Sequence, residues 1–219
     1  MNKGETPFYL TEALSGLGVL HQFTYSSYIG RPEPITGVIN TNSNVYIKKL
    51  KKNIVTNYLV SSGHDILLNN NFEYGDIIYH RDGKGLLGLT AFNKIDNIRN
   101  TKHNFKFILE SQYYKMVLKS TEVTKADDPT FKISEVIPNY TFDDFGINGG
   151  KRFYFTTDLI TTNDFVKNLT TSESYKYTSE GNIKTATVTV GLIGKPWVET
   201  TKTEICLLYT SDAADDSLR

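Results

Sequence analysis

The feature that most constrains the fold of this chain is an alternation of side chains with a period of two. In residues 185–190, threonine alternates with alanine or valine. Such alternation places apolar side chains on one face of a β-strand and hydroxyl groups on the other. Strand-forming residues recur with the same spacing at Val45 and Ile47, Phe105, Phe107 and Leu109, Phe153 and Phe155, and Tyr175 and Tyr177. The pattern predicts a chain built from short, half-buried strands.

Turn sequences predict three β-hairpins independently of the alternation. Asn148-Gly149 separates two aromatic-rich segments, and this dipeptide tolerates the positive φ angles of a type I′ turn. Residues 82–85 and residues 179–182 are rich in Gly, Asn, Asp and Ser, and each lies between two strand-like segments. We expect surface hairpins with four-residue loops at these two places.

Signals for helices are few. Residues 162–164 (Thr-Asn-Asp) can cap a short helical turn over residues 165–169, and residues 11–14 predict one helical turn within an N-terminal arm. Residues 112–119 are ambiguous between helix and strand, and we interpret them as strand.

Regularly spaced short strands favour a sandwich or barrel over a fold of alternating strands and helices. We therefore predict an all-β fold, an antiparallel sandwich or barrel-like domain with an N-terminal arm and at most one or two short helices. The predicted organisation is an arm over residues 1–19 and a single β-rich domain over residues 20–204. No repeat of fixed period is evident.

The last residues are of a different kind. Residues 205–216, Ile-Cys-Leu-Leu-Tyr-Thr-Ser-Asp-Ala-Ala-Asp-Asp, resemble a translated sequencing-library adapter. We therefore expect residues 205–219 to be a non-native tail, with the natural chain cut near Glu204. The full chain has 24 basic and 24 acidic residues, and the tail contains Arg219 and three aspartates. Without the tail, 23 basic and 21 acidic residues remain.

Composition then argues against several classes of function. A nearly neutral chain has no electrostatic footprint for nucleic acid or for an anionic membrane surface. The one cysteine, Cys206, lies in the tail, so the natural part offers no thiol catalysis and no cysteine-ligated zinc. The start shows no secretory signal, and we expect the protein in a virion or the cytoplasm.

Two tripeptides match signatures of protein kinases. His80-Arg81-Asp82 and Asp144-Phe145-Gly146 copy the catalytic-loop and metal-binding sequences of that family. The family needs an asparagine five residues after the catalytic aspartate, and Leu87 stands there instead. The chain also lacks a glycine-rich phosphate loop. We interpret both tripeptides as β-turns.

Other candidate sites have equally ordinary interpretations. The four histidines (His21, His64, His80 and His103) are too dispersed for a helical metal motif, and Ser62-Gly63-His64-Asp65 lacks a nucleophile elbow. Asp127-Asp128 and Asp143-Asp144 could supply paired carboxylates for glycoside chemistry or a cation, but neither has calcium-loop spacing, and we favour turns. The basic run Lys48 to Lys52 fits a charged strand end that blocks aggregation.

The sequence thus predicts no catalytic residue, cofactor or metal. The favoured function is a structural or assembly subunit of a phage-like particle, such as a tail or baseplate component. Its partners would be copies of itself or other structural subunits, with neither membrane nor nucleic acid involved. The alternative is a carbohydrate-binding or glycoside-hydrolysing β module that uses some of the fourteen tyrosines with Asp143, Asp144 or Asp158.

Overall fold

The computed structural model describes residues 9–28, 44–47, 52–144, 153–178, 182–195 and 197–204. Within these ranges the chain forms strands and turns and no helix, and every strand pair is antiparallel. The predicted all-β antiparallel fold is confirmed.

Fifteen strands lie within the described residues. They are β1 Glu12–Leu14, β2 Leu20–Tyr28, β3 Val45–Ile47, β4 Lys52–Ser61, β5 Ile66–Tyr74, β6 Ile77–His80, β7 Gly85–Leu89, β8 Ala91–Asp96, β9 Thr101–Glu110, β10 Lys115–Lys125, β11 Lys132–Asp144, β12 Phe153–Asp164, β13 Leu169–Tyr177, β14 Ile183–Leu192 and β15 Trp197–Glu204. The chain divides into two compact units, Met1–Ile133 and Ser134–Arg219. The single domain predicted for residues 20–204 stays a prediction.

Unit 1 contains a larger and a smaller sheet. The larger one has the strand order β1-β2-β4-β5-β8-β9-β10, and the smaller one has the order β3-β6-β7. Strand β5 therefore pairs with β8, and the β6–β7 hairpin is inserted between them in the sequence. The chain leaves and re-enters the large sheet at a narrow neck, where the Gly75 N–H donates to the Ala91 carbonyl at 2.8 Å and the Thr90 N–H donates to the Asp76 carbonyl at 2.9 Å.

The buried hydrophobic residues are few and belong to unit 1. Among the described residues they are Val45, Val60, Ile78, Ala91 and Val117. A Cβ added at Gly88 of β7 would lie 2.9 Å from Met116 Cγ of β10, so the absence of a side chain lets the small sheet approach the large one. Aromatic rings stack on one face of the large sheet, including Phe23 on Tyr58 (centroids 4.9 Å apart).

Short hairpin loops connect most neighbouring strands. The predicted β6–β7 hairpin is confirmed, and its turn spans residues 81–84, one residue earlier than the predicted 82–85. Two other four-residue loops share a design: an aspartate ends the first strand and an asparagine with positive φ precedes the second. These are Asp96 with Asn100 (φ +53°) and Asp164 with Asn168 (φ +56°). Asparagine adopts this left-handed conformation more readily than most residues.

Three local predictions have different outcomes. The helical turn over residues 11–14 was wrong, because residues 12–14 pair with β2 across a turn that contains Gly18 (φ +76°). The helical turn after residues 162–164 was also wrong: Asp164 caps the β12–β13 hairpin loop instead. Residues 115–119 are strand, as predicted, while residues 112–114 belong to a turn.

Unit 2 is a meander of five strands in the order β11-β12-β13-β14-β15. Strands β13 and β14 form the predicted hairpin, whose tip, residues 179–181, lies outside the described residues. The predicted turn at Asn148-Gly149 also lies outside them, although β11 and β12 pair on either side. A bulge in this pair places Asn139 opposite Leu159 and Tyr140 opposite Thr157, so Asp158 has no partner residue on β11.

Candidate functional site

The described residues of the kinase-like tripeptides lie at strand ends and in a turn. His80 ends β6 in unit 1, and its Nδ1 accepts a hydrogen bond from the Asp82 N–H at 3.0 Å. The Tyr114 ring meets the buried His80 ring edge-on, with centroids 4.3 Å apart. Asp144 ends β11 in unit 2, and residues 145–146 lie outside the described residues. His80 and Asp82 thus support a hairpin turn, as the sequence predicts.

The histidines do not converge. Nδ1 of His21 lies 2.8 Å from the Tyr58 hydroxyl, and burial lowers the pKa of His103, with Lys94 acting in the same direction. His64 lies in the loop between β4 and β5, where the Ser62 N–H donates to the Asp65 carbonyl at 3.0 Å. No three His, Cys, Asp or Glu side chains in the described ranges are placed to hold a metal ion.

The acidic pairs also fall at turns or strand ends. Asp128 Oδ1 accepts hydrogen bonds from the Thr130 hydroxyl (2.5 Å) and the Thr130 N–H (3.1 Å), and these bonds hold the pKa of Asp128 below its ordinary value. This is the turn that the sequence predicts. Asp143 and Asp144 are the last residues of β11 and pair with β12, so the turn predicted for this pair is wrong. Of the basic run, Lys52 begins β4, and residues 48–51 lie outside the described residues.

Asp158 is the acidic residue with the most developed surroundings. Its Oδ2 accepts a hydrogen bond from the Thr141 hydroxyl, and its Oδ1 accepts one from the Thr156 hydroxyl at 2.9 Å. Burial raises the pKa of the Tyr177 phenol, and the charge of Asp158 adds to the shift. Both carboxylate oxygens are thus engaged by threonines of the same sheet, which fixes the side chain at the bulge.

A second polar contact lies on the neighbouring strand. The Tyr175 hydroxyl donates to Glu173 Oε2 at 2.6 Å, and this bond is the main reason that the pKa of Tyr175 is raised. The Tyr177 hydroxyl donates to the Thr157 carbonyl at 2.7 Å. Tyrosine rings beside a carboxylate suit the recognition of sugars, but here the hydroxyl groups already bond within the sheet.

The pairing register gives the sheet of unit 2 two different faces. One face carries Val136, Pro138, Ile160, Val188 and Val190, with the polar residues Thr162, Thr171 and Glu173 between them, and we call it the apolar face. The opposite face carries Thr161, Ser172 and Thr189 side by side on three strands, with Ser174 and Thr187 beside them, and we call it the hydroxyl face. The alternation in residues 185–190 predicts that two such faces exist. Which residues become neighbours depends on register, which no single segment encodes.

Within unit 2, no second layer formed by described residues packs against the apolar face. No described hydrophobic side chain of unit 2 is buried. Val188 is 37% exposed, and Phe155 and Leu192 are 39% and 40% exposed. A sheet with one apolar face is normally stabilised by packing that face against a second layer. This surface is therefore the strongest candidate for a functional site in unit 2.

Comparisons with known proteins add little. No protein-family description matches the chain, and no curated protein matches it. A solved structure, a porin-like protein from Bacteroides uniformis ATCC 8492, aligns with 87% of this chain and 91% of that chain at 10% sequence identity. The TM-score of that alignment is 0.24, which is too low for a conclusion about fold or function. No helix capable of spanning a bilayer is found in the described part of the chain.

Proposed function

We propose that this chain is a structural or assembly subunit, of the kind that builds a tail or baseplate of a phage-like particle. The observation that carries the proposal is the apolar face of unit 2, against which no other described layer of that unit packs. Burial of apolar area stabilises by about 25 cal/mol per Å², so covering this face by another protein surface is favourable. Copies of the same chain or neighbouring structural subunits supply such a surface in a closed, repeating assembly.

The end of the unit 2 sheet supports the same proposal. Among the described residues, β15 pairs with β14 alone, so its outer edge offers backbone N–H and C=O groups for strand addition. Glu199 and Lys202 place charges of both signs on this strand. Charged edges disfavour indiscriminate pairing while permitting a complementary partner.

The test is the association state of the full chain, measured by analytical ultracentrifugation and negative-stain microscopy over a range of concentrations. A reductant prevents disulfide dimers through Cys206. We expect rings, tubes or discrete oligomers. Val188→Gln on the apolar face should weaken association about tenfold, because burying a valine side chain stabilises by about 1.5 kcal/mol. Its matched control, Thr187→Gln on the same strand but the hydroxyl face, should leave association unchanged. A strict monomer at every concentration would overturn the proposal.

The alternative is a carbohydrate-binding or glycoside-hydrolysing β module. The observation that favours it is Asp158, held at a bulge by two threonine hydroxyls, because bulges often re-aim a side chain beside a site. Affinity electrophoresis on polysaccharide gels separates the two proposals. If the polysaccharide retards a monomeric wild type and Asp128→Asn but does not retard Asp158→Asn, the carbohydrate module is favoured.

A further inference from the structure

Three strands of unit 1 bring a carboxylate, an amide and an amine to one point. Glu73 of β5 accepts two hydrogen bonds at a single oxygen, Oε2. The Asn93 side-chain amide on β8 donates the first at 2.9 Å, and the Lys102 ammonium on β9 donates the second at 3.0 Å. The two nitrogens therefore lie no more than 5.9 Å apart, which is the sum of these distances.

The pairing register makes this convergence a property of the fold. Glu73 is the direct cross-strand partner of Asn93, and Asn93 is the partner of Asn104. Lys102 lies two residues from Asn104 on β9, hence on the same face and diagonal to Asn93. The three side chains are thus held against each other by backbone pairing on both sides of β8.

Packing partly shields the group from water. Asn93 is 7% exposed, and the Lys102 and Glu73 side chains are 24% and 32% exposed. Thr124, the partner of Lys102 on β10, is 1% exposed, and its hydroxyl has no hydrogen-bond partner. An amine held beside an amide with restricted access to water gains the proximity that speeds intramolecular reactions.

We propose that Lys102 and Asn93 form an intramolecular isopeptide bond, with Glu73 as the catalytic proton carrier. Glu73 takes a proton from the Lys102 ammonium, and the freed Nζ attacks Cγ of Asn93. A C–N bond to Nζ forms, and the bond from Cγ to the original amide nitrogen breaks. Glu73 delivers its proton to that nitrogen, which leaves as ammonia. Nζ loses a further proton, and the ammonia takes up this proton to become ammonium. No oxidant or cofactor is consumed.

The surroundings of Glu73 distinguish this group from an ordinary ion pair. Lys132 and Glu122 form another lysine–glutamate pair in unit 1, at 2.9 Å, with the Lys132 side chain 43% exposed. Glu122 is the cross-strand partner of Asn104. Unlike Asn93 with Glu73, Asn104 donates no side-chain hydrogen bond to Glu122 within the described part of the chain. The Lys132–Glu122 pair provides an internal control for the effect of removing a lysine.

The first measurement is the intact mass of the full-length, folded chain, followed by tryptic peptide mapping. We expect a mass lower by one ammonia than the sequence requires. The map should contain a branched peptide that joins residues 85–94 to residues 100–106, because trypsin does not cut after an acylated Lys102. An unmodified mass in the folded wild-type chain would overturn the proposal without recourse to any variant.

Variants then identify the atoms involved. Lys102→Arg keeps the positive charge but removes the nucleophile, and Glu73→Gln keeps hydrogen bonding but removes the proton acceptor. Both should restore the full mass. Lys132→Arg should not. Formation of a succinimide at Asn148-Gly149 would also lower the mass by one ammonia. Asn148→Ala removes that reaction, so the mass of this variant should still be lower by one ammonia if the proposal holds. Persistence of the loss in Lys102→Arg would refute it.

Discussion

Removal of the Asp96 carboxylate should destabilise the β8–β9 hairpin more than any other single change in its loop. Asp96 Oδ1 accepts hydrogen bonds from the Ile98 and Arg99 N–H groups, both at 3.0 Å, and Oδ2 accepts one from the Arg99 guanidinium at 3.3 Å. The side chain is 8% exposed. One carboxylate therefore satisfies two backbone donors of the turn, while the Asn97 N–H of the same turn donates to the Asn69 carbonyl at 2.9 Å.

The size of the effect follows from these three contacts. A hydrogen bond to a charged acceptor contributes about 1.5–3 kcal/mol, although water can reach the freed N–H groups in this exposed loop and recovers part of that. The Arg99 side chain is 80% exposed, so its ion pair adds about 0–1 kcal/mol at most. For Asp96→Ala we expect a loss of about 2–3 kcal/mol.

Hydrogen exchange detected by mass spectrometry measures this loss locally, in peptides that cover β8 and β9. The matched control is Asp164→Ala in the related β12–β13 loop. Asp164 accepts from the Val166 and Lys167 N–H groups, but its side chain is 33% exposed, so we expect about 1 kcal/mol. A change below about 0.5 kcal/mol for Asp96→Ala, the range of ordinary surface substitutions, would refute the reasoning.

The same carboxylate should make the hairpin sensitive to acid. The Arg99 N–H holds the pKa of Asp96 below its ordinary value, burial opposes this, and the Ile98 N–H and the Arg99 charge lower the pKa further. Because the pKa of Asp96 is lower in the folded chain than in the unfolded chain, the ionised carboxylate stabilises the fold fully at a pH above its pKa in the unfolded chain, about 3.9. This stabilisation is lost as the pH falls through the pKa of Asp96 in the folded chain. Protection of β8 and β9 should therefore fall below about pH 4 in the wild type, and less so in Asp96→Ala.

Three further substitutions have defined outcomes. Gly75→Ala should lower the thermal midpoint of unit 1, because the new Cβ would lie 2.7 Å from the Ala91 backbone nitrogen; an unchanged midpoint would contradict the packing at the neck. Asn168→Val should cost about 1–2 kcal/mol in urea unfolding at its positive φ, whereas Asn168→Gly should be nearly neutral, and equal effects would argue against this conformation. Tyr175→Phe should remove a phenol that ionises above the ordinary pKa of about 10, because the hydroxyl donates to Glu173. The difference in absorbance between wild type and Tyr175→Phe during an alkaline titration measures the pKa of this phenol, and a midpoint below about 10 would contradict the raised pKa.

Local patterns predicted the elements of this fold better than their arrangement. Alternation and turn residues predict the strands and the β6–β7 hairpin because both depend on a few adjacent residues. The helical turn over residues 11–14 was wrong because pairing with β2 outweighs local preference. Glu73 and Asn93 meet only because β5 pairs with β8, and nothing within either segment reveals that pairing. The exposure of Val188 likewise depends on which layers surround the strand.

The inserted β6–β7 hairpin has a consequence for how unit 1 folds. Most neighbouring strands close across loops of about four residues, so their pairing is fast. The β5–β8 pair must instead join Tyr74 to Phe92 around the whole insertion. If the β6–β7 hairpin forms first, it shortens the loop that remains to be closed and lowers its entropic cost. A substitution that weakens the turn at residues 81–84 should then slow the assembly of the large sheet, of which that turn is not a part.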